Sequence, residues 1–272
     1  MPPISRDFKG AEDAYAAGDV ELSIAAHDKK LTGTSEENHT TDANDLVKSL
    51  IFGGLDGIIT TFAIVAAVAG AGMSTNTIIV MGCANLIADG ISMGLGDYIS
   101  SKAEAEATIV EYNREKWELE NYPEGEYKEM VEVYEGMGLR THDAQQLVDT
   151  MKQYPKFFLD HMFVNELGML PPDEDAELWK EGLVTFLSFV FFGSVPLLTY
   201  LVAKAAGGDA DDDVLFAIAC VATALTMFLL GVVKAKLTKS NPWKSGALML
   251  LNGGLAALAA FLIGWCLEEL LE

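Results

Sequence analysis

Basic residues are scarce in this chain of 272 residues. There are 18 Lys and Arg against 40 Asp and Glu, a formal net charge of −22. So acidic a chain is repelled by a phosphate backbone, which excludes nucleic acid as a partner. Cysteine occurs three times, as Cys83, Cys220 and Cys266, each inside an apolar run where a thiol reads as a small buried hydrophobe. No CxxC spacing is present, so the sequence builds neither a disulfide framework nor a metal site of that kind. The first 45 residues lack an apolar stretch behind a basic start and do not read as a cleavable signal peptide. They are polar and read as a cytosolic tail with little fixed structure. Glu36 and His39 form the chain's one Glu-x-x-His, and in so polar a segment it reads as solvated. The acidic stretch further on lacks the paired Glu-x-x-His helices of a di-iron bundle, which argues against an iron oxidase.

What is present is segregated. Half of the residues are hydrophobic and the mean hydropathy is +0.23 despite the charge. That combination predicts an all-α membrane protein joined to an acidic soluble module. Five apolar runs read as transmembrane helices: 49–71, 77–99, 183–203 (with Pro196 expected to kink it), 214–233 and 246–267. The organisation expected is a tail over 1–45, spans one and two over 46–100, an acidic helical metal-binding domain over 101–182, and spans three to five over 183–272. That inserted domain holds 20 Asp and Glu against 8 Lys and Arg. Breakers at Pro123, Gly136 with Gly138, Pro155 and Pro171-Pro172 cut it into short helices, with Thr141 and Asp173 as expected N-caps. Lys234, Lys236, Lys239 and Lys244 flank the connection between spans four and five, whereas four Asp lie between spans three and four. The positive-inside rule therefore puts the tail and the inserted domain in the cytosol and the C-terminus on the lumenal side.

The chemistry-bearing residues lie on helical faces. Asn85, Asp89, Met93 and Asp97 recur every four residues within span two. A carboxylate at the bilayer centre costs about 2.5–3.5 kcal/mol, so such groups face a bundle interior or a water-filled path. At ~100° per residue the same face continues through Glu104, Glu111, Glu115 and Glu118. Asp56 sits early in span one within Gly53-Gly54-Leu55-Asp56-Gly57, a context that permits close helix approach. Carboxylates suit hard or borderline divalent cations, and a thioether tilts the choice toward Fe(II) over Mg²⁺ or Ca²⁺. Outside the spans, Glu115 with Glu118, Glu129 with Glu132, and Met162 with Glu166 are paired at i, i+3 or i, i+4 and could converge on one pocket. The bland alternatives are packing for Met93, a structural hydrogen bond for Asp56, and solvated faces for the Glu pairs.

DGIITTFAIVAAVAGA in span one, ADGISMGLGDYISSKAEAE in span two and the later HMFVNELGM resemble the vacuolar iron transporter family, over roughly residues 44–270. The resemblance implies a homodimer of five-span protomers that exchanges cytosolic Fe²⁺, and Mn²⁺ in many members, for protons from an acidic vacuole, with no prosthetic group and no enzymatic reaction. It implies a path at the dimer interface using Asp56 and Met93. It further implies cytosolic metal ligands at Glu115, Glu118, Glu129, Glu132, Met162 and Glu166. The chain departs from plant members in two places. Asn85 stands where they carry a span-two Glu, with Asp89 one turn on. Ser49 stands where they carry a second acidic residue in span one. The alternatives are a Mn²⁺ or broad divalent-cation exporter and a membrane-anchored iron buffer or oxidase.

Overall fold

The computed structural model describes residues 17–28, 40–173, 177–206 and 211–271. Glu36 and His39 lie outside them. Among the described residues every regular element is a helix. The chain divides into two compact units, Met1–Asp45 and Leu46–Glu272. In the first, α1 spans Val20–Asp28, a helix that the polar composition did not lead us to expect. The Asp19 carboxylate accepts from the Leu22 N–H at 3.0 Å and starts it.

The second unit holds α2 (Thr40–Gly70, entering from the first), α3 (Thr75–Asn121), α4 (Pro123–Gly136), α5 (Thr141–Met151), α6 (Pro155–Asn165), α7 (Trp179–Ala205), α8 (Asp212–Leu237) and α9 (Pro242–Leu271). Five of these, α2, α3, α7, α8 and α9, are long and apolar enough to cross a membrane. The helix α2 is the most enclosed, with half of its apolar stretch buried against 17–33% in the others, and so forms the axis of the bundle. Gly53 lets it do so: a Cβ there would stand 2.5 Å from the Thr185 carbonyl oxygen of α7, so the two backbones touch. Gly72, at φ +59, takes the left-handed conformation that closes α2, and the Met73 N–H donates back to the Val68 carbonyl. The bundle core is built from Phe62, Val65, Leu86, Phe189, Leu197 and Tyr200, among others. Pro196 lies inside α7 without ending it.

At 47 residues, α3 is roughly 70 Å long at ~1.5 Å per residue, more than twice a bilayer core. Its distal half carries the short helices α4, α5 and α6, which share a second core of Met130, Tyr134, Val148, Phe158, Leu159 and Met162. Prolines at the first position of α4 and α6 start those helices where the missing N–H costs nothing. Two expected caps fall elsewhere. Arg140, not Thr141, is the N-cap of α5, held in place by its Nε bond to Asp143 Oδ2 at 2.8 Å. Asp173 caps no described helix, because α7 begins only at Trp179.

Candidate functional site

Three elements converge their carboxylates at the far end of α3. This helix contributes Glu115 and Glu118, the first turns of α4 contribute Glu126 and Glu129, and Glu166 is the C-cap residue of α6. Carboxylate oxygens of Glu115, Glu118 and Glu126 lie within 4.8 Å of one another, and so do those of Glu126, Glu129 and Glu166. Glu126 is the shared vertex. It is 4% exposed, and Glu115 is 2% exposed. Oε2 of Glu126 and Oε2 of Glu166 are buried without any hydrogen-bond partner, a costly arrangement for an anion unless a cation compensates it. Burial first, then the negative charge of neighbours led by Glu129 for Glu126 and by Glu115 for Glu166, pushes both carboxyls up to about 7. Arg114 reaches Glu115 at 2.6 Å and Glu111 at 3.1 Å from the rim. The cluster therefore gathers carboxylate oxygens with one guanidinium at its edge, in an arrangement that a divalent ion would satisfy.

A second acidic set lies in the apolar part of the same helix. Asn85 donates from Nδ2 to Asp89 Oδ2 at 2.7 Å, which orients that carboxylate one turn away. Asp56 on α2 is near enough to Asp89 for the two charges to interact. Met93, one turn beyond Asp89, is half-buried and packs against the bundle core. Asp97 makes different bonds. Its Oδ2 accepts from Ser49 Oγ of α2 at 3.0 Å and from Thr185 Oγ1 of α7, so it ties three helices together. With the Asp56 and Asp89 carboxyl groups on adjacent helices, the set can hold a cation between α2 and α3 or exchange it for protons.

The sequence profile of the VIT family matches residues 47–265, which cover both acidic sets. The chain belongs to the VIT family. Among its relatives, a protein of Toxoplasma gondii named vacuolar iron transporter is 45% identical over 269 residues, covering 97% of this chain and 89% of the relative. The vacuolar iron transporter of Plasmodium falciparum is 38% identical, covering 98% of both chains. Vacuolar iron transporter 1 of Arabidopsis thaliana is 31% identical, covering 92% of this chain and 96% of the relative.

In this VIT-family protein the residues singled out from sequence divide into two groups. Glu115, Glu118, Glu129 and Glu166 come together, as do Asp56, Asp89 and Asn85. Glu132 does not join the cluster. It points outward, its side chain 62% exposed, and sits 3.6 Å from Lys128. Glu126, which the pairing of Glu129 with Glu132 passed over, takes the inward position. A signal for it exists in the sequence. Met130 and Tyr134 form the buried stripe of α4, and four residues back along that stripe is Glu126. Glu104 is exposed and joins neither group among the described residues. Met162 is fully buried in the core of the short helices, one turn before Glu166, whose N–H donates to its carbonyl at 2.8 Å.

Proposed function

We propose that this VIT-family protein is a secondary transporter that carries Fe²⁺ from the cytosol into an acidic vacuole in exchange for protons. The observation that carries the reading is that one continuous helix, α3, bears both acidic sets. The Glu115–Glu118–Glu126 and Glu126–Glu129–Glu166 groups lie at its distal end, and Asp89 lies in its apolar part within charge reach of Asp56. The names of the relatives, vacuolar iron transporters, support the cargo and the compartment. The lysines between α8 and α9 support a cytosolic side for the glutamate cluster and a lumenal C-terminus.

In this reading the cytosolic glutamates collect the ion, with Met162 as a soft donor one turn from Glu166. The α3 face then delivers it past Glu104 and Asp97 to Asp56, Asp89 and Met93. All-oxygen sites take Fe²⁺ and Mn²⁺ alike, and the Met93 thioether favours Fe²⁺, so Mn²⁺ is the second cargo. Protons arriving from the lumen neutralise Asp56 and Asp89 and release the ion on that side. Translocation runs at a homodimer interface formed by the outward face of α3. There Ile87, Ile91, Leu95 and Ile99 are 47–62% exposed, beside the small residues Ala84, Ala88, Ser92 and Gly96. Small residues flanked by branched apolar ones suit close helix pairing in a bilayer.

The test is Fe²⁺ uptake into proteoliposomes under an imposed pH gradient, comparing wild type with Asp56→Asn. Gradient-driven uptake in the wild type should fall about tenfold or more in the variant, the loss expected when a charged ligand is removed. Uptake that ignores the gradient, or that survives in the variant, would sink the exchange mechanism.

A further inference from the structure

A cavity of about 600 Å³ opens in the short-helix unit between α3, α4 and the start of α6. Its charge is the reverse of its surroundings. Residues 101–182 hold 8 basic side chains among 20 acidic ones. Six of the eight are ion-paired: Lys102 with Glu106, Arg114 with Glu111 and Glu115, Lys128 with Glu132, Arg140 with Asp143, Lys152 with Asp149, and Lys180 with Glu177. The two without a described carboxylate in ion-pair reach, Lys116 and Lys156, both line this one cavity, and Lys152 joins them. Glu120 is the one carboxylate among its described lining residues. In a segment with so large an acidic excess, three exposed lysines from different elements around one cavity make a local positive patch that favours an anion.

The rest of the wall fits an organic anion better than an inorganic one. Pro123 and Pro155 bring the N-termini of α4 and α6 to the same rim, adding the partial positive charge of two helix ends. Tyr127 lies edge-on to Phe158 with ring centroids 5.2 Å apart, and the Lys152 ammonium stands 5.7 Å from the Tyr127 centroid. Leu119 and Leu159 complete an apolar floor. A volume of this size falls within the range of roughly 300–1,000 Å³ typical of small-molecule sites. A lipid headgroup does not reach it, since Lys116 is 17 residues beyond Ile99, about 26 Å along a helix at ~1.5 Å per residue.

We infer that this cavity binds a soluble organic polyphosphate bearing a planar ring, of the nucleoside triphosphate class, with the phosphates between Lys116, Lys156 and Lys152 and the ring against Tyr127. None of the clustered glutamates lines the cavity, and the assignment does not depend on the transport reading. The cavity gives the metal-collecting unit a place where a cytosolic metabolite can bind without touching the clustered carboxylates.

The experiment is binding of ATP, tripolyphosphate and adenosine to the full-length protein in detergent micelles by isothermal calorimetry. Metal-depleted buffer removes any contact bridged through the glutamates. ATP should bind saturably, and the Lys116→Gln/Lys156→Gln double variant should weaken it roughly tenfold or more, as expected for losing charge-assisted bonds. Lys128→Gln, outside the cavity, should leave it unchanged. Tripolyphosphate should bind roughly fivefold or more weakly than ATP, reflecting the lost ring contact, and adenosine more weakly still. Both lysines are exposed, so circular dichroism and elution profile should match wild type. Absence of saturable ATP binding, equal affinity in the double variant, or tripolyphosphate binding as tightly as ATP would each overturn the assignment.

Discussion

Glu126 and Glu132 are chemically identical and six residues apart on one helix, yet their surroundings give them opposite expectations. Glu126 has a buried oxygen without a partner and shares both carboxylate groups, whereas Glu132 is solvated beside Lys128. Glu126→Gln should weaken Mn²⁺ binding, measured by calorimetry on the purified protein, by about tenfold or more. Glu132→Gln should leave it unchanged, since an exposed ion pair contributes little. The pH dependence follows from the same burial. Glu126 and Glu166 are raised from an ordinary value of 4.5 to about 7, so the folded chain holds these protons more tightly than the unfolded one. Their contribution to stability is present below pH 4.5 and is lost as pH rises through 7. The melting temperature of the metal-free protein should fall across that window, and Glu126→Gln should flatten the fall. Mn²⁺ affinity should rise over the same range as protons stop competing for the oxygens.

Helix α2 touches α7 backbone to backbone. A Cβ on Gly57 would collide with the Phe189 carbonyl of α7, next to Asp56, whereas a Cβ on Gly254 of α9 meets nothing within 4 Å. Gly57→Ala should therefore cost about 1–3 kcal/mol as overpacking forces α2 and α7 apart, read as a lower melting temperature in detergent. Fe²⁺ uptake should fall with it, while Gly254→Ala should change neither. The close approaches expected along Gly53–Gly57 are present, a Cβ at Gly53, Gly54 or Gly57 falling within 3 Å of α7 atoms. These were readable because small residues at such spacing leave a groove on one helix face. Breakers at Pro123 and Pro155 likewise marked where α4 and α6 begin. The N-cap of α5 falls one residue before the expected Thr141, at Arg140, whose backbone is extended there (φ −74°, ψ 146°).

Across the molecule, the outward face of α3 is one of the apolar surfaces that a single protomer leaves exposed. Its apolar residues are exposed, and Gly96 has nothing within 4 Å of its absent Cβ. If two copies pair through it, Gly96→Trp should convert a dimer to a monomer in detergent, measured by light scattering coupled to size exclusion, with the fold intact by circular dichroism. A wild type that is monomeric under the same conditions would remove the interface from the proposed mechanism.

The five long apolar helices, the acidic helical insertion between the second and third, and the family were all legible from one-dimensional pattern. Hydrophobic run length, breakers and motif are local properties of the chain. The faces of the insertion were not. Spacing at i, i+3 made Glu126 with Glu129 and Glu129 with Glu132 equivalent, and the choice was made when α4 folded back against α3 and α6, burying Met130 and Tyr134 and carrying Glu126 inward with them. Asp97, which periodicity put on the ion path, also ties α2, α3 and α7 together, because Ser49 and Thr185 are brought to it from 48 and 88 residues away. The lysine-lined cavity is of the same kind: Lys116 and Lys156 are 40 positions apart in the chain, and only the docking of α6 beside α3 sets them across one space.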